Sequence, residues 1–407
     1  PSGGFPTGGL HDYMGVPTLV DNLAVSSLFE RAYIEIWNEW FRDENLQQSV
    51  PNPKGDTGDD EISVRTRGKR FDYFTSALPF PQKGESVSLP LGTSAPVVST
   101  GTGYPSFQDQ DDESLGRLQQ LGGAGNNAEF EIDVGGGDSV ARWLTTNLET
   151  DLTQAASATI NQLRQSFAIQ RLLERDARGG TRLPEILKAH FRVENPDSRM
   201  QRPEYLGGGH TAVNINQVAQ TAEGEEEGST IGTLGAFGTA SMKNNGFVKS
   251  FTEHCIIIGL VNVRADITYQ QGLDRMFSRQ TKYDFFWPAL AHLGEQSIYN
   301  REIYAQGTEE DDDVFGYQEA FAEYRYKPNM ISSLFRSNAG GTLDSWHLSQ
   351  DFENLPVLGD EFIEDDPPFD RVLAVPSEPD FILDTWIKIK AARPMPMYGV
   401  PGMIDHF

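Results

Sequence analysis

The segment that most constrains this chain is a helix whose two ends are both marked in the sequence. Thr159 and Gln162 form a capping-box pattern, in which each side chain satisfies a backbone donor at the helix N-terminus. Apolar residues follow at helical spacing and predict one buried stripe: Ile160, Leu163, Phe167, Leu172 and Leu173. Gly179 and Gly180 predict the helix end, because glycine adopts positive φ without a Cβ clash. A second, shorter helix is predicted from Thr181.

The rest of the chain favours turns and extended segments over further helices. It contains 40 glycines and 23 prolines among 407 residues, which is typical of long loops. Residues 247–269 carry a β-branched run that predicts a buried strand, and Cys255 within it is expected to be a small core residue. Residues 380–392 alternate apolar and charged positions, which predicts a half-buried strand.

The charge balance excludes one broad class of function. The net charge is −26, so sequence-independent binding of nucleic acid by the whole surface is disfavoured. The single cysteine excludes an internal disulfide framework and fits synthesis in a reducing cytoplasm. The longest strongly apolar run, Cys255 to Val263, is too short to cross a membrane as a helix, and no membrane insertion is predicted.

An aromatic helix is predicted after residue 25. Ser27 and Glu30 have the capping-box spacing, and an aromatic stripe follows on one helical face. Its period favours core or subunit-interface packing over a ligand box. The proline-rich tail 393–407 is expected to lie extended over a neighbouring subunit. Candidate interface residues in the two segments are Trp37, Trp40, Phe41, Met395, Tyr398 and Phe407.

The region from 161 to 203 is locally basic. It holds nine basic and five acidic residues, a balance of +4 in an acidic chain. Its arginines could hold DNA phosphates, but we favour pairing with carboxylates at subunit contacts, because acids lie one helical turn away. The candidates are Arg164, Arg171, Arg175, Arg178 and Arg182. A second patch, 65–70, is equally compatible with DNA contact and with a solvated loop.

No motif for chemistry stands out. The glycine clusters at 122–125 and 135–137 lack the residues of a P-loop or a dinucleotide fold, and the histidines show no ligand spacing. We therefore predict no enzyme activity, no cofactor and no metal site. Two classes remain open: a self-assembling coat subunit, and an all-β carbohydrate-binding or glycan-hydrolysing protein. Sedimentation distinguishes a megadalton particle from a small oligomer.

A family resemblance favours the first class. The motifs RLLERDARGGTR, RMQRPEYLGGG, FFWPALAHLGEQ and RPMPMYGVPGMIDHF occur in this order. Together with the segments around them they resemble the major capsid protein of the Microviridae, small single-stranded DNA phages, and most closely the gokushovirus branch. The resemblance covers most of residues 5–92 and 156–407.

The resemblance implies a mainly β fold, in which residues 1–407 form one eight-stranded antiparallel viral jelly roll with long loops and a few short helices. It also implies that the first strands of the roll precede Pro1. The implied function is a T=1 icosahedral shell in the virion, assembled in the bacterial cytoplasm. The implied partners are other copies of the chain, a single-stranded DNA genome with a small basic DNA-binding protein, an internal scaffolding protein and a host-cell receptor.

Residues 93–155 change character and are predicted to be an inserted loop. Glycine and polar residues dominate, and the resemblance places here a threefold surface protrusion that mediates host attachment. Isolated apolar residues could meet symmetry mates at the axis; the candidates are Leu115, Leu118, Phe130 and Trp143. The alternative is a flexible surface loop without a partner.

Overall fold

The computed structural model describes most of the chain: residues 3–55, 63–85, 97–100, the strands between 107 and 150, 159–198, 202–218, 235–266, 268–373 and 379–394, with Val87 and Ser377. Six α-helices occur in this part: α1 Leu10–Tyr13, α2 Leu28–Ile36, α3 Ile160–Gly179, α4 Leu183–Ile186, α5 Asn300–Ile303 and α6 Asp360–Ile363. Two of them, α2 and α4, continue into π-helical turns at Trp37–Phe41 and Leu187–Phe191.

The described strands are short and antiparallel. They are β1 Val97–Ser99, β2 Phe107–Asp109, β3 Leu115–Gly116, β4 Leu118–Leu121, β5 Glu129–Ile132, β6 Ala141–Trp143, β7 Leu148–Thr150, β8 Asn214–Val218, β9 Gly235–Thr239, β10 Glu295–Tyr299 and β11 Val314–Glu319. They form one three-stranded sheet, β3-β2-β6, and four pairs: β1-β7, β4-β5, β8-β9 and β10-β11.

The capped helix is confirmed. Gln162 N–H donates to Thr159 Oγ1 at 3.2 Å, and Thr159 N–H donates to Gln162 Oε1 at 2.8 Å, so the capping box is complete. Helix α3 runs to Gly179, and Gly180 takes a φ of 86°. The glycine permits this positive φ, and the chain then turns into α4.

The core lies where β10 and β11 meet the segment 73–78 and helix α6. Phe74 is at its centre, with edge-to-face contacts to Tyr73 and Tyr269 at centroid distances of 5.1 Å. Ile298 and Ile303 are fully buried beside it. Such aromatic pairs add to the hydrophobic stabilisation of burial, so this small cluster fixes the central part of the chain.

A buried ion pair completes the core. Arg275 Nη1 donates to Glu302 Oε1 and Tyr73 Oη donates to Glu302 Oε2, both at 3.0 Å. Burial raises the pKa of Glu302, although the Arg275 charge opposes that shift. Gly272 packs so closely on this turn that an added Cβ would lie 2.1 Å from the Glu302 carbonyl oxygen.

The eight-stranded roll expected from the resemblance is not formed by the described residues, whose sheets have two or three strands. Two segments predicted to be strands account for the difference. Residues 247–266 and 380–392 form no helix and pair with no described strand, and Cys255 is exposed, so the predictions of burial there are wrong for the isolated chain. Strand pairing and burial require neighbours that the local pattern does not specify.

Candidate interaction surfaces

The aromatic helix divides its stripe between the core and the surface. Tyr33 and Trp37 are buried within the chain, Phe41 is half-buried, and Trp40 is 48% exposed. The predicted Ser27 capping box is wrong. Ser27 takes helical φ and ψ, unlike the extended backbone of a capping residue, and makes no side-chain cap. The Leu28 N–H donates to Ser26 Oγ at 3.4 Å.

A network of five charged side chains joins this helix to α4. Arg182 Nε lies 3.5 Å from Glu39 and 3.4 Å from Glu44, and its Nη1 lies 3.1 Å from Glu185. Arg202 also faces Glu39 and Glu185, at 3.8 and 3.7 Å. All five side chains are largely shielded from water. The network also links segments that lie far apart in the sequence.

Arg202 makes a second link to the same helix. Its guanidinium lies 3.9 Å from the centre of the Trp40 ring, a cation–π contact. The Trp40 indole N–H donates to the Pro203 carbonyl at 2.7 Å. Trp40, predicted as an interface residue, is therefore held in place by its own chain while part of its ring remains exposed.

The five predicted arginines divide into two groups. Arg178 binds both carboxylate oxygens of Glu295, and Arg182 belongs to the network above, so both are neutralised inside the chain. Arg164, Arg171 and Arg175 are exposed on α3 and form no ion pair with a described residue. The first group has internal structural partners, whereas DNA or subunit contact by the second remains a prediction.

Helix α3 also exposes its apolar stripe. Ile160 is 70% exposed, Phe167 59% and Leu172 50%, and Ala177 is the buried residue of the helix. The expectation that this stripe faces a core within the chain is wrong, because no described element covers it. The extended segment 380–392 is similar, with Ile382 and Trp386 almost fully accessible.

A basic groove lies between the end of α3 and the patch 65–70. It encloses about 450 Å³. Seven cationic side chains line it: Arg42, Arg67, Lys69, Arg70, Arg178, Arg182 and Arg264. Three acidic residues line it as well: Asp43, Glu44 and Glu185. The groove thus has a local balance of +4, seven minus three, in a chain of net charge −26.

Sequence inspection missed Arg264 as a member of this groove. Its Nη2 donates to the Gly68 carbonyl at 3.3 Å, which places the guanidinium against the turn that carries Arg67 and Arg70. Burial, together with the nearby charges of Arg67 and Arg70, lowers the pKa of Arg264. The negative charge of Asp365 opposes this lowering of the Arg264 pKa, although its carboxylate is as far as 3.8 Å from Arg264 Nε. The patch 65–70 could be recognised in the sequence, but Arg264, its partner far along the chain, could not.

The predicted protrusion contacts lie in paired backbone. Leu115 pairs with Gln108, Leu118 with Ile132, Phe130 with Gln120 and Trp143 with Phe107. Strands β1 and β7 pair at the two ends of this region, Val97 opposite Thr150 and Ser99 opposite Leu148. The predicted tail residues Met395, Tyr398 and Phe407 lie outside the described residues.

In the described part of the chain, no group of three or more His, Cys, Asp or Glu side chains is placed to hold a metal ion. No helix there has the length and apolar character needed to cross a membrane.

The exposed apolar stripe of α3 and the exposed segment 380–392 are the surfaces of a protein that acts by association. The comparisons with known proteins specify the class. A family described as "Capsid protein (F protein)" matches residues 1–403. The chain belongs to this capsid family of the Microviridae, the small single-stranded DNA phages.

Three relatives match over nearly the whole chain, and each is named capsid protein VP1. That of Bdellovibrio phage phiMH2K is 46% identical over 100% of this chain and 78% of the relative. That of Chlamydia phage 1 is 41% identical over 99% of this chain, and that of Spiroplasma virus 4 is 37% identical over 99%. Both alignments cover 78% of the relative.

Proposed function

We propose that many copies of this chain build a T=1 icosahedral shell around a single-stranded DNA genome, and that the shell is assembled in the cytoplasm of a bacterial host. The observation that carries the proposal is the match to capsid proteins along the entire chain. The exposed apolar stripe of α3 supports it, because an apolar surface of this kind is costly in a monomer and is covered when subunits associate. The function is structural, without catalysis.

The finer fold belongs to the same proposal. In the shell, the extended segments 247–266 and 380–392 become strands of an eight-stranded jelly roll. Their β-branched and alternating patterns favour strands, and no helix occupies them in the isolated chain. Pairing would satisfy the backbone groups along these segments and bury side chains such as Trp386, which is 93% exposed in the isolated chain.

Assembly can be tested with the purified chain. Sedimentation and electron microscopy should show megadalton particles of uniform diameter with icosahedral symmetry. A protein that sediments only as a monomer or small oligomer under all assembly conditions would contradict the proposal. It would instead favour the carbohydrate-binding alternative, which glycan-array binding would then examine.

Host attachment is assigned to the insertion 93–155. The pairing of β1 with β7 supports this assignment, because it brings the two ends of the insertion together, as expected for a unit that projects from a surface. Deleting residues 105–150 and closing the gap with a short Gly-Ser linker should leave particles that form but no longer adsorb to host cells. Truncated particles that adsorb like the wild type would exclude the attachment role.

A further inference from the structure

One end of the basic groove carries positive charges that the described residues neutralise only in part. Arg178 and Arg182 are paired with Glu295 and with the network around Glu44, and Asp43 accepts backbone N–H groups with its Oδ1. These contacts satisfy the end of the groove nearest to α3 and α4. The other end, formed by the patch 65–70 and the segment near residue 264, is different.

At that end three guanidiniums have weak partners. Arg67 Nη1 donates to the neutral Asn262 Oδ1 at 2.9 Å, and its guanidinium lies over the Phe41 ring. Arg70 contacts Asp266 at 3.1 Å in an ion pair whose two side chains are 60% and 85% exposed, so water competes for it. Arg264 Nε is shielded from water and lacks a hydrogen-bond acceptor among the described residues, and the Asp365 carboxylate lies 3.8 Å from it.

Three arginines around one turn repel one another; Asp266 and Asp365 offset part of this repulsion, and a further anion would offset more of it. Guanidinium groups bind phosphate through paired N–H donors, and several arginines around one phosphate are a common arrangement. This end of the groove therefore has the donors needed to hold a phosphate.

An aromatic ring beside these charges narrows the choice of ligand. Phe71 follows Arg70 directly, lines the same groove and is 80% exposed. Sites for single-stranded nucleic acid combine a positively charged track with exposed rings on which bases stack. A phosphate ion or an acidic peptide would bind the charges without stacking on this ring.

We propose that this groove binds a segment of single-stranded DNA, with Arg67, Arg70 and Arg264 holding the phosphates and the Phe71 ring stacking on a base. The inference rests on the proposed function, since it names where the enclosed genome touches the subunit. It places the contact on the patch 65–70, for which the sequence left DNA contact and a solvated loop equally open, and adds Arg264 and Phe71 to it.

The test measures binding of a fluorescein-labelled twelve-nucleotide oligothymidylate to the purified full chain by fluorescence anisotropy. The groove variant is Arg67→Gln with Arg70→Gln, and the matched control is Arg164→Gln with Arg171→Gln, which removes the same charge from exposed positions on α3. Thermal unfolding checks that both variants fold as the wild type does. A labelled twelve-residue polyglutamate serves as the competing anion.

We expect the groove variant to bind the oligonucleotide at least about tenfold more weakly at low salt, with the slope of log Kd against log salt reduced by about 1.4 for two lost phosphate contacts. The control should bind like the wild type. Phe71→Leu should weaken binding about fivefold or more without changing the salt slope, because it removes stacking but no charge.

Three results would overturn the assignment: equal loss in the control variant, an unchanged affinity in Phe71→Leu, or polyglutamate binding as tight as that of the oligonucleotide. Electron microscopy of the same preparations separates this inference from the proposed function. If the wild type forms no shells, the proposed function fails. If all variants form shells that enclose equal amounts of DNA, only the groove assignment fails.

Discussion

Removing Arg182 should destabilise the subunit more than removing any exposed arginine of the neighbouring helix. Its guanidinium lies within 3.5 Å of Glu39, Glu44 and Glu185, and its Nη2 donates to the Asn38 carbonyl at 2.6 Å. In Arg182→Ala, Glu39 and Glu185 would face Arg202 alone, and Glu44 would lose its ion pair. The balance of the network would change from two cations and three anions to one cation and three anions.

The magnitude follows from the burial of the partners. Removing one member of a buried ion pair costs about 3–5 kcal/mol, because the remaining charge is left without compensation. Here the carboxylate side chains are between 14% and 24% exposed, so water screens part of that charge. We therefore expect Arg182→Ala to lower the free energy of unfolding by about 2–3 kcal/mol.

Urea-induced unfolding of the dissociated subunit, followed by tryptophan fluorescence, gives the measurement. The control is Arg171→Ala, an exposed α3 arginine without an ion pair to a described residue, which should change stability by less than about 0.5 kcal/mol. Adding Glu44→Ala to Arg182→Ala should restore part of the loss, because one uncompensated carboxylate is removed. Equal effects of the Arg182 and Arg171 substitutions would refute this reasoning.

Three other predictions test separate features. Gly272→Ala should destabilise the core by more than about 2 kcal/mol in urea unfolding, since its Cβ would lie 2.1 Å from the Glu302 carbonyl oxygen, whereas Gly259→Ala, which meets nothing within 4 Å, should have little effect. Backbone N–H groups of Thr281 and Gln280 hold the pKa of Asp284 below 3.8, so the stabilisation is present above pH 3.8 and is lost as the pH falls through the lowered pKa. The difference in unfolding free energy between the wild type and Asp284→Asn should therefore be constant from pH 5 to 7 and disappear as the pH falls through the lowered pKa. Trp386→Ser should leave subunit unfolding unchanged but reduce particle yield in sedimentation, and normal yield would show that this exposed ring is not covered on assembly.

Local signals in the sequence were sufficient where the structure depends on near neighbours. The Thr159 capping box involves two residues three positions apart, and the glycine stop at 179–180 depends on backbone freedom alone, so both appear as predicted. The Ser27 box failed although it has the same spacing, because Ser27 adopts helical dihedral angles and its side chain cannot reach back over the first turn.

Long-range partners were beyond the sequence. The pairing of Arg178 with Glu295 spans 117 residues, and the approach of Arg264 to Gly68 spans 196. Nothing in either segment specifies that encounter. The apolar run Cys255 to Val263 shows the same limit: its composition favours a strand, but composition does not supply the neighbour with which a strand must pair.

The pairing of β1 with β7 has a consequence for how this coat can diversify. Two three-residue strands fix the distance between the ends of the insertion. The supporting structure therefore does not depend on the length of chain between them. The entropy of closing a loop rises only logarithmically, and doubling its length costs about 0.6 kcal/mol. A capsid built in this way can exchange or lengthen the segment for which we propose host attachment while the rest of the subunit keeps its sequence.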